Sequence, residues 1–442
     1  MHKPLLILAL LGITFGQAKA QENGHWCHTH NVYEEAYNED PELYKSIERE
    51  IDEAVIAHSK TAHKVDPNFT YYIPVVFHYF HPEKETNFDR FFSAEDAQGV
   101  VDRLNADFNN TNPDSTDIQD FYKARRGNAH IKFLLADYDP DGNVSTGINY
   151  VKTDMALPAN RNSDEELKYL SFWPNESYLN FWIVENLKRG GGVLAYATLP
   201  ESVASGRTRG SEDGVIGKRD IYKKSPSGRF ERHALSHEVG HYLGLRHPFQ
   251  GDESIPGSGC STLPCKFGGD KICDIPQVDT IHRQCIKEHN TCPNEPIIDN
   301  LTNIMDYRYC PAMFSKDQVT RMRGVLLTTR KYLVSWENHQ KTGIQEKKRS
   351  NLLDKTEIYP NPFNNKIIIE MESDNDAQAC IDIKDLLGRT AYNNCRRKLM
   401  KGQNTIEISA EEMNITTTGI YVITVQVGNN YYVERIKFNG QN

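Results

Sequence analysis

Three histidines and a glutamate fall within one eleven-residue string, His237-Glu238-Val239-Gly240-His241-Tyr242-Leu243-Gly244-Leu245-Arg246-His247. On a helix, residues four apart lie one turn apart on the same face, so His237 and His241 can reach one metal ion. Phe230, Ala234 and Leu235 before them and Leu243 and Leu245 after them carry the matching apolar spacing. A catalytic zinc takes three protein ligands and keeps one position open, with nitrogen at about 2.0–2.1 Å. Gly244 can take the left-handed conformation that ends a helix, which turns the chain and returns His247 as the third ligand. Glu238, beside the first ligand and directed at the open position, is suited to take a proton from a zinc-bound water and hand it to a leaving amine. The metal lowers the pKa of that water to about 7. The string therefore predicts zinc-dependent hydrolysis of peptide bonds. A thermolysin-like site, with a glutamate from a second helix as third ligand, becomes unnecessary once His247 is present. A vestigial metal site on a surface adhesin or binding module is the alternative, against which the intact ligands and Glu238 count. His58, His63, His78, His282 and His289 lack metal-ligand spacing and read as ordinary histidines.

These residues need a scaffold. Tyr72 to Phe80 is aromatic and β-branched, and reads as a strand. Ser93-Ala94-Glu95-Asp96 is a capping-box start for a helix with Ala97, Val100, Val101, Leu104 and Phe108 at helical spacing. Further strands are predicted over 129–136, 179–185, 192–197 and 214–217. Strands alternating with helices indicate an α/β sheet. The charged stretch 341–356 reads as a linker, and residues 357–442 alternate in short apolar runs as a small β-sandwich does. The expected organisation is a signal peptide over 1–20, a polar, His-rich pro-segment over 21–65, a catalytic domain over 66–340, the linker, and the sandwich over 357–442.

The export signal rests on Lys3, the apolar run Leu5 to Phe15 and the small-x-small site Ala18-Lys19-Ala20. That run is too short to span a bilayer, and no later stretch reaches the roughly 18 apolar residues a transmembrane helix needs. A formal charge of −9 disfavours broad nucleic-acid binding. Nine cysteines in an oxidising compartment predict disulfides with one thiol left over. Six crowd between Cys260 and Cys310, Cys380 and Cys395 lie near the C-terminus, and Cys27 stands alone as the natural odd one.

The zinc string resembles the extended signature of metzincin peptidases, and Asn303-Ile304-Met305-Asp306-Tyr307 resembles the tight turn whose methionine floors their metal site. Within metzincins the likeness is to the pappalysin family. It is carried by Tyr178-Leu179-Asn180-Phe181-Trp182, by Gly240 to Leu245, and by Met305-Asp306-Tyr307 followed by Cys310 and Phe314, over roughly residues 70–335. The resemblance implies a metzincin-like α/β fold with a twisted mixed sheet and an active-site helix, and a latent endopeptidase acting on proteins or extended peptides. It gives Tyr307 the role of steadying the oxyanion and Cys27 that of a zinc ligand in the latent form. A metal-scavenging tail built from His25, His28 and His30 is the simpler reading of Cys27's surroundings. Gly268 to Pro276 resembles a structural calcium loop, with Asp270 and Asp274 as ligands, although a solvated acidic loop accounts for the same residues. The family pattern implies Cys260–Cys292 and Cys285–Cys310, leaving Cys265–Cys273 as an extra local pair. Relatives that cut before arginine or lysine carry an acidic residue just after the Met-turn cysteine; here Pro311-Ala312-Met313-Phe314 follows Cys310, which predicts weak or no preference for basic residues and a tilt toward apolar or medium-sized ones near Met313, with Asp306 or Asp274 as the carboxylates that could still line the pocket from elsewhere. Substrate is expected antiparallel to an edge strand over 192–196. Ile358 to Phe363, Asp385 to Arg389 and Gly419 to Val422 resemble the C-terminal sorting domain of type IX secretion cargo, with an accessory binding domain as the alternative. Such cargo crosses the periplasm of a gram-negative bacterium to the cell surface or beyond.

Overall fold

The structure is a computed structural model, and it describes residues 26–61, 69–82, 92–188, 192–206, 209–223, 228–251, 259–292, 297–344, 356–373, 375–385, 389–427 and 430–440. The expected signal peptide and most of the expected linker lie outside these residues. No helix among the described residues is long and apolar enough to cross a membrane.

The chain opens with helices α1 (Thr29–Glu39) and α2 (Pro41–Thr61), then strand β1 (Tyr71–His81) and helix α3 (Ala94–Phe108). A short helix α4 (Asp120–Lys123) precedes β2 (Ile131–Leu135), β3 (Ile148–Lys152), α5 (Asp164–Ser171), β4 (Leu179–Val184) and β5 (Ala195–Ala197). There follow α6 (Pro200–Ala204), β6 (Gly214–Lys218), α7 (Arg219–Tyr222) and α8 (Arg229–Tyr242). Beyond α8 no helix or strand occurs among the described residues until α9 (Lys316–Leu327) and α10 (Trp336–Thr342).

The strands form one mixed sheet in the order β2-β1-β4-β6-β5, with β3 also paired to β1. All pairings are parallel except β5 with β6, so the edge strand β5 runs against the rest. The expected α/β class is observed. The strand expected over 192–197 is shorter, and β3 and α5 carry no pattern strong enough to have announced them. On α3 the Ser93 hydroxyl and the Asp96 carboxylate cap each other's backbone amides, and Ala97, Val100, Val101, Leu104 and Phe108 are buried. That face joins Ile73, Val75 and Phe77 of β1, and Ala234, Leu235 and Val239 of α8, in the main core.

Residues 26–61 belong to the stretch expected as a polar, His-rich pro-segment, yet Tyr44, Ile47 and Ile51 of α2 are buried, the latter two against Val325 of α9. The polar face of α2 is equally engaged. Glu48 pairs with Arg246 and accepts from the Tyr33 hydroxyl, while Asp52 binds Lys271 at 2.5 Å and Arg321 at 2.7 Å.

Four disulfides, Cys260–Cys292, Cys265–Cys273, Cys285–Cys310 and Cys380–Cys395, leave Cys27 as the free cysteine. The C-terminal part contains β7 (Glu357–Tyr359), β8 (Lys366–Ser373), β9 (Ala377–Asp385), β10 (Thr390–Leu399), β11 (Gly402–Ser409), β12 (Gly419–Val427) and β13 (Asn430–Phe438). They form antiparallel sheets β10-β9-β12-β13 and β11-β8-β7 around their own core, which includes Ile369, Ile381, Ile423 and Ile436.

Helix α8 is pinned to α3 by His233. Its Nδ1 faces Asp107 Oδ2 at 2.9 Å and its Nε2 faces Asp114 Oδ2 at 3.0 Å. Both ring nitrogens meet carboxylates, so both must donate and the ring is an imidazolium. Burial opposes that charge, but the carboxylates outweigh it and raise the His233 pKa to about 9. The contribution to stability is fully present below the unfolded pKa of about 6.5 and is lost as pH rises through about 9. His233→Gln should therefore cost most at pH 6. The difference from wild type in denaturant titrations should shrink by about 3 kcal/mol by pH 10, and a difference that does not change with pH would show that the ring is neutral.

Candidate active site

Helix α8 carries His237, Glu238 and His241 on its inner face and ends where the sequence places Gly244, at φ 85°. There the Gly244 amide donates to His241 O at 2.8 Å and the Leu245 amide to Gly240 O at 2.9 Å, which turns the chain back and brings His247 beside the helix. The three Nε2 atoms stand 3.0 to 3.1 Å from one another. Nδ1 of His237 donates to Ile304 O at 2.7 Å, and Nδ1 of His241 to Leu245 O at 2.8 Å. Those bonds fix the tautomer: the Nε2 atoms of both rings carry bare lone pairs pointed at a common centre. Burial depresses the His237 pKa well below its usual range and that of His241 to about 3, so protons are poor candidates for that centre. Nitrogens at about 2.0–2.1 Å from a tetrahedral zinc lie about 3.3 Å apart, close to the observed spacing. The donor set fits zinc.

The Met-turn floors the site. Ile304 O, which orients His237, is held by its own amide's bond to Met313 O at 2.9 Å. Asn303 and Gln318 exchange side-chain hydrogen bonds at 3.0 and 3.1 Å, and Asn303 Oδ1 accepts from the Met305 amide. Met305 lies directly under α8: a Cβ added at Gly240 would come 2.5 Å from its sulfur. Tyr307 stands beyond it, its ring 5.7 Å from His237 and 4.9 Å from His247, and Phe249 stacks on His247 at 4.7 Å.

The N-terminal segment reaches every one of these groups. Cys27 Sγ and the three histidine nitrogens lie within 4.8 Å of one another. The Thr29 hydroxyl donates to Glu238 Oε2 at 2.9 Å while accepting from the Ala197 amide, and Cys27 Sγ lies 3.6 Å from the same carboxylate oxygen. Tyr307 donates its hydroxyl to Cys27 O at 3.1 Å. Cys27 pairs with Ala195 of β5 in the parallel sense. Burial pushes the Glu238 carboxyl up to about 8, against the hydrogen bonds from Cys27 and Thr29. Burial, then the charge of Glu238, push the Cys27 thiol well above its usual range, so a thiolate there needs a cation beside it. Thr29 and Trp26 were not singled out from sequence; their only signal was their nearness to Cys27.

Asp270 and Asp274 each have protein partners, and the charge of Asp274 adds to the burial that raises the Asp270 pKa to about 8. Asp274 caps α9, accepting from the Ser315 hydroxyl at 2.6 Å and from the Asp317 amide at 3.0 Å. Asp270 Oδ1 accepts from the Ile272 amide at 3.1 Å within its own loop. His78 hydrogen-bonds Asn180 and Asn149, and His282 pairs with Asp279.

The family model for M43 peptidases, described as pregnancy-associated plasma protein-A, matches residues 162–327. The chain carries a pappalysin-type peptidase domain. A second model, the secretion system C-terminal sorting domain, matches residues 357–438. An extracellular metalloprotease of Neurospora crassa is 33% identical over 150 residues, which are 33% of this chain and 46% of that protein. The chain thus spans about half the length of the curated relatives it matches first. Among solved structures, Tannerella forsythia mature mirolysin in complex with a cleaved peptide is 29% identical at a TM-score of 0.51, covering 62% of this chain and 98% of that one. A mutant of promirolysin from the same organism is 26% identical at a TM-score of 0.57, covering 72% of this chain and 99% of that one. The match to the pro-form thus takes in more of this chain than the match to the mature form. The sorting-domain match and the extracellular metalloprotease relatives together indicate secretion.

Close packing of Gly240 on Met305 is testable. Gly240→Ala should cost about 1–3 kcal/mol by overpacking and Met305→Ala about 2–5 kcal/mol by opening a cavity. Because the added methyl occupies the vacated space, the double variant should melt above the sum of the two losses; additivity within about 0.5 kcal/mol would mean that the two residues do not touch.

Proposed function

We propose that the chain is a secreted zinc metalloendopeptidase that is made latent, its N-terminal segment seated on its own catalytic groups. The carrying observation is the joint contact of that one segment with the histidine cluster, Glu238 and Tyr307. His237, His241 and His247 would hold the zinc, with Cys27 as fourth ligand in the latent form. Bound there, zinc supplies Lewis acidity, polarising a peptide carbonyl and making water nucleophilic near neutral pH.

The chain's own residues do the rest. With the N-terminal segment gone, Glu238 faces water in place of Thr29 and Cys27, and its pKa falls from about 8 toward the range in which it accepts a proton at neutral pH. It then takes a proton from the attacking water and delivers it to the departing amine nitrogen. Tyr307, whose hydroxyl burial keeps protonated, moves its hydrogen bond from Cys27 O to the substrate carbonyl oxygen as negative charge develops there. The free side of β5 offers amides and carbonyls to align a peptide over the histidines.

Protein or peptide substrates, recognition of the sorting domain by type IX machinery, and passage through a gram-negative periplasm complete this reading. Support for calcium at Asp270 is limited to one buried carboxylate oxygen, Oδ2, without a hydrogen bond among the described residues. Asp274 is committed to α9.

Glu238→Ala should keep the fold and bound zinc, measured by metal analysis, and lower peptidase turnover by about 10²–10⁴-fold; turnover within a factor of two of wild type would sink the mechanism. Cys27→Ala should speed conversion of the full chain to its mature form, followed by gel over time. Unchanged kinetics would remove Cys27 from the latency mechanism.

A further inference from the structure

The residue before Cys27 is a tryptophan, and it is buried to 4% exposure. Its indole lies 4.5 Å from the His237 ring and 5.0 Å from that of Tyr307, and its backbone oxygen accepts from the Leu194 amide at 2.6 Å. A buried tryptophan covers about 150–250 Å² of apolar surface. The segment thus fills a deep slot beside the metal ligands with the largest side chain available.

The slot's place along a substrate follows from chain direction. Cys27 pairs parallel with β5. A segment lying in the productive direction would present its own peptide bond to Glu238 and be cut, so a segment that inhibits runs opposite to substrate. In a reversed chain, the side chain that precedes the metal-bound residue takes the place of the one that follows the scissile bond. Resting on the endopeptidase reading above, we infer that the Trp26 slot is the specificity pocket for the residue after the cut, and that it selects large apolar, above all aromatic, side chains and not arginine or lysine.

The surrounding charges agree. A cationic side chain needs a carboxylate in such a slot, because an unpaired buried charge is strongly disfavoured. Asp306, the acidic residue of the Met-turn, is already bound by Arg308 Nε at 2.9 Å and by the Tyr307 amide at 2.6 Å. Arg308 in turn binds Asp299 at 2.8 Å. Asp274, the other carboxylate that could have served, caps α9. Of the cations, Arg283 is the one that acts on the Tyr307 hydroxyl. The pocket offers the ring faces of His237 and Tyr307, and the Met-turn carboxylate beside it is already paired.

Two measurements test this. In the full chain bearing Glu238→Gln to block self-cleavage, Cys27 is the one thiol outside a disulfide, so its reaction with a thiol reagent under chelation reports how firmly the segment is seated. Trp26→Phe should react within threefold of the parent, whereas Trp26→Ala and Trp26→Arg should react at least tenfold faster, with Trp26→Leu and Trp26→Lys as a second pair should any variant misfold. Protection by arginine or lysine equal to that by phenylalanine would overturn the proposal. In the second, the matured wild-type protein is given a proteome-derived peptide library, and cuts should be enriched before Phe, Tyr, Trp, Leu and Met. Enrichment before Arg or Lys overturns the pocket's chemistry, and aromatic enrichment only before the cut, on the amino side, overturns the reversed direction. A library left untouched with zinc present defeats the endopeptidase reading itself, and the thiol measurement then decides the slot alone.

Discussion

Three imidazole Nε2 atoms converge on one point, two of them with lone pairs fixed there, and the catalytic region is organised to hold them. The carbonyls of Ile304 and Leu245 dictate the tautomers of His237 and His241. Gly244 supplies the backbone reversal that returns His247. The Ile304 amide in turn donates to the Met313 carbonyl, and the Met-turn is held by the Asn303–Gln318 exchange. Orienting groups of this kind fix a ligand's tautomer and ring position before the metal arrives.

Latency uses the same geometry. A single short stretch, Trp26 to Thr29, meets the three histidines, Glu238 and Tyr307 through different chemical groups: an indole, a thiol, a backbone carbonyl and a hydroxyl. The helices that follow contribute anchorage. Glu48 and Asp52 on α2 tie the segment to Arg246, Lys271 and Arg321 from outside the site, so the inhibitory contacts themselves can be few.

Much of this was legible because local rules and tertiary need agreed. The capping box at Ser93, the apolar spacing of α3, the zinc string and Gly244 each obey a rule that spans at most eleven residues, and the family likeness supplied the Met-turn. What was missed depends on distant partners. The stretch 26–61 looks polar because half of its surface meets water and its charged side chains meet basic residues more than 190 positions away; Tyr44, Ile47, Ile51 and Val55 did carry helical spacing, but in a background of acidic residues. The helix-capping role of Asp274 depends on Ser315 and Asp317, some forty positions away, and no local pattern announces it. Whether a carboxylate near the Met-turn faces a pocket or an arginine is likewise invisible until Arg308 is placed.

Between the end of α8 and the start of α9 the chain has neither helix nor strand among its described residues, yet this stretch supplies His247, the floor under α8 and Tyr307. Its order comes from three of the four disulfides, two of which tie residues 25 and 32 positions apart. Thiols stay reduced in the cytosol. The half of the site that lies in this stretch therefore cannot be stapled together until the chain has left the compartment where it was synthesised. The producing cell's own proteins are then guarded twice, by a segment lying across the cleft and by a redox boundary that the unfinished site must first cross.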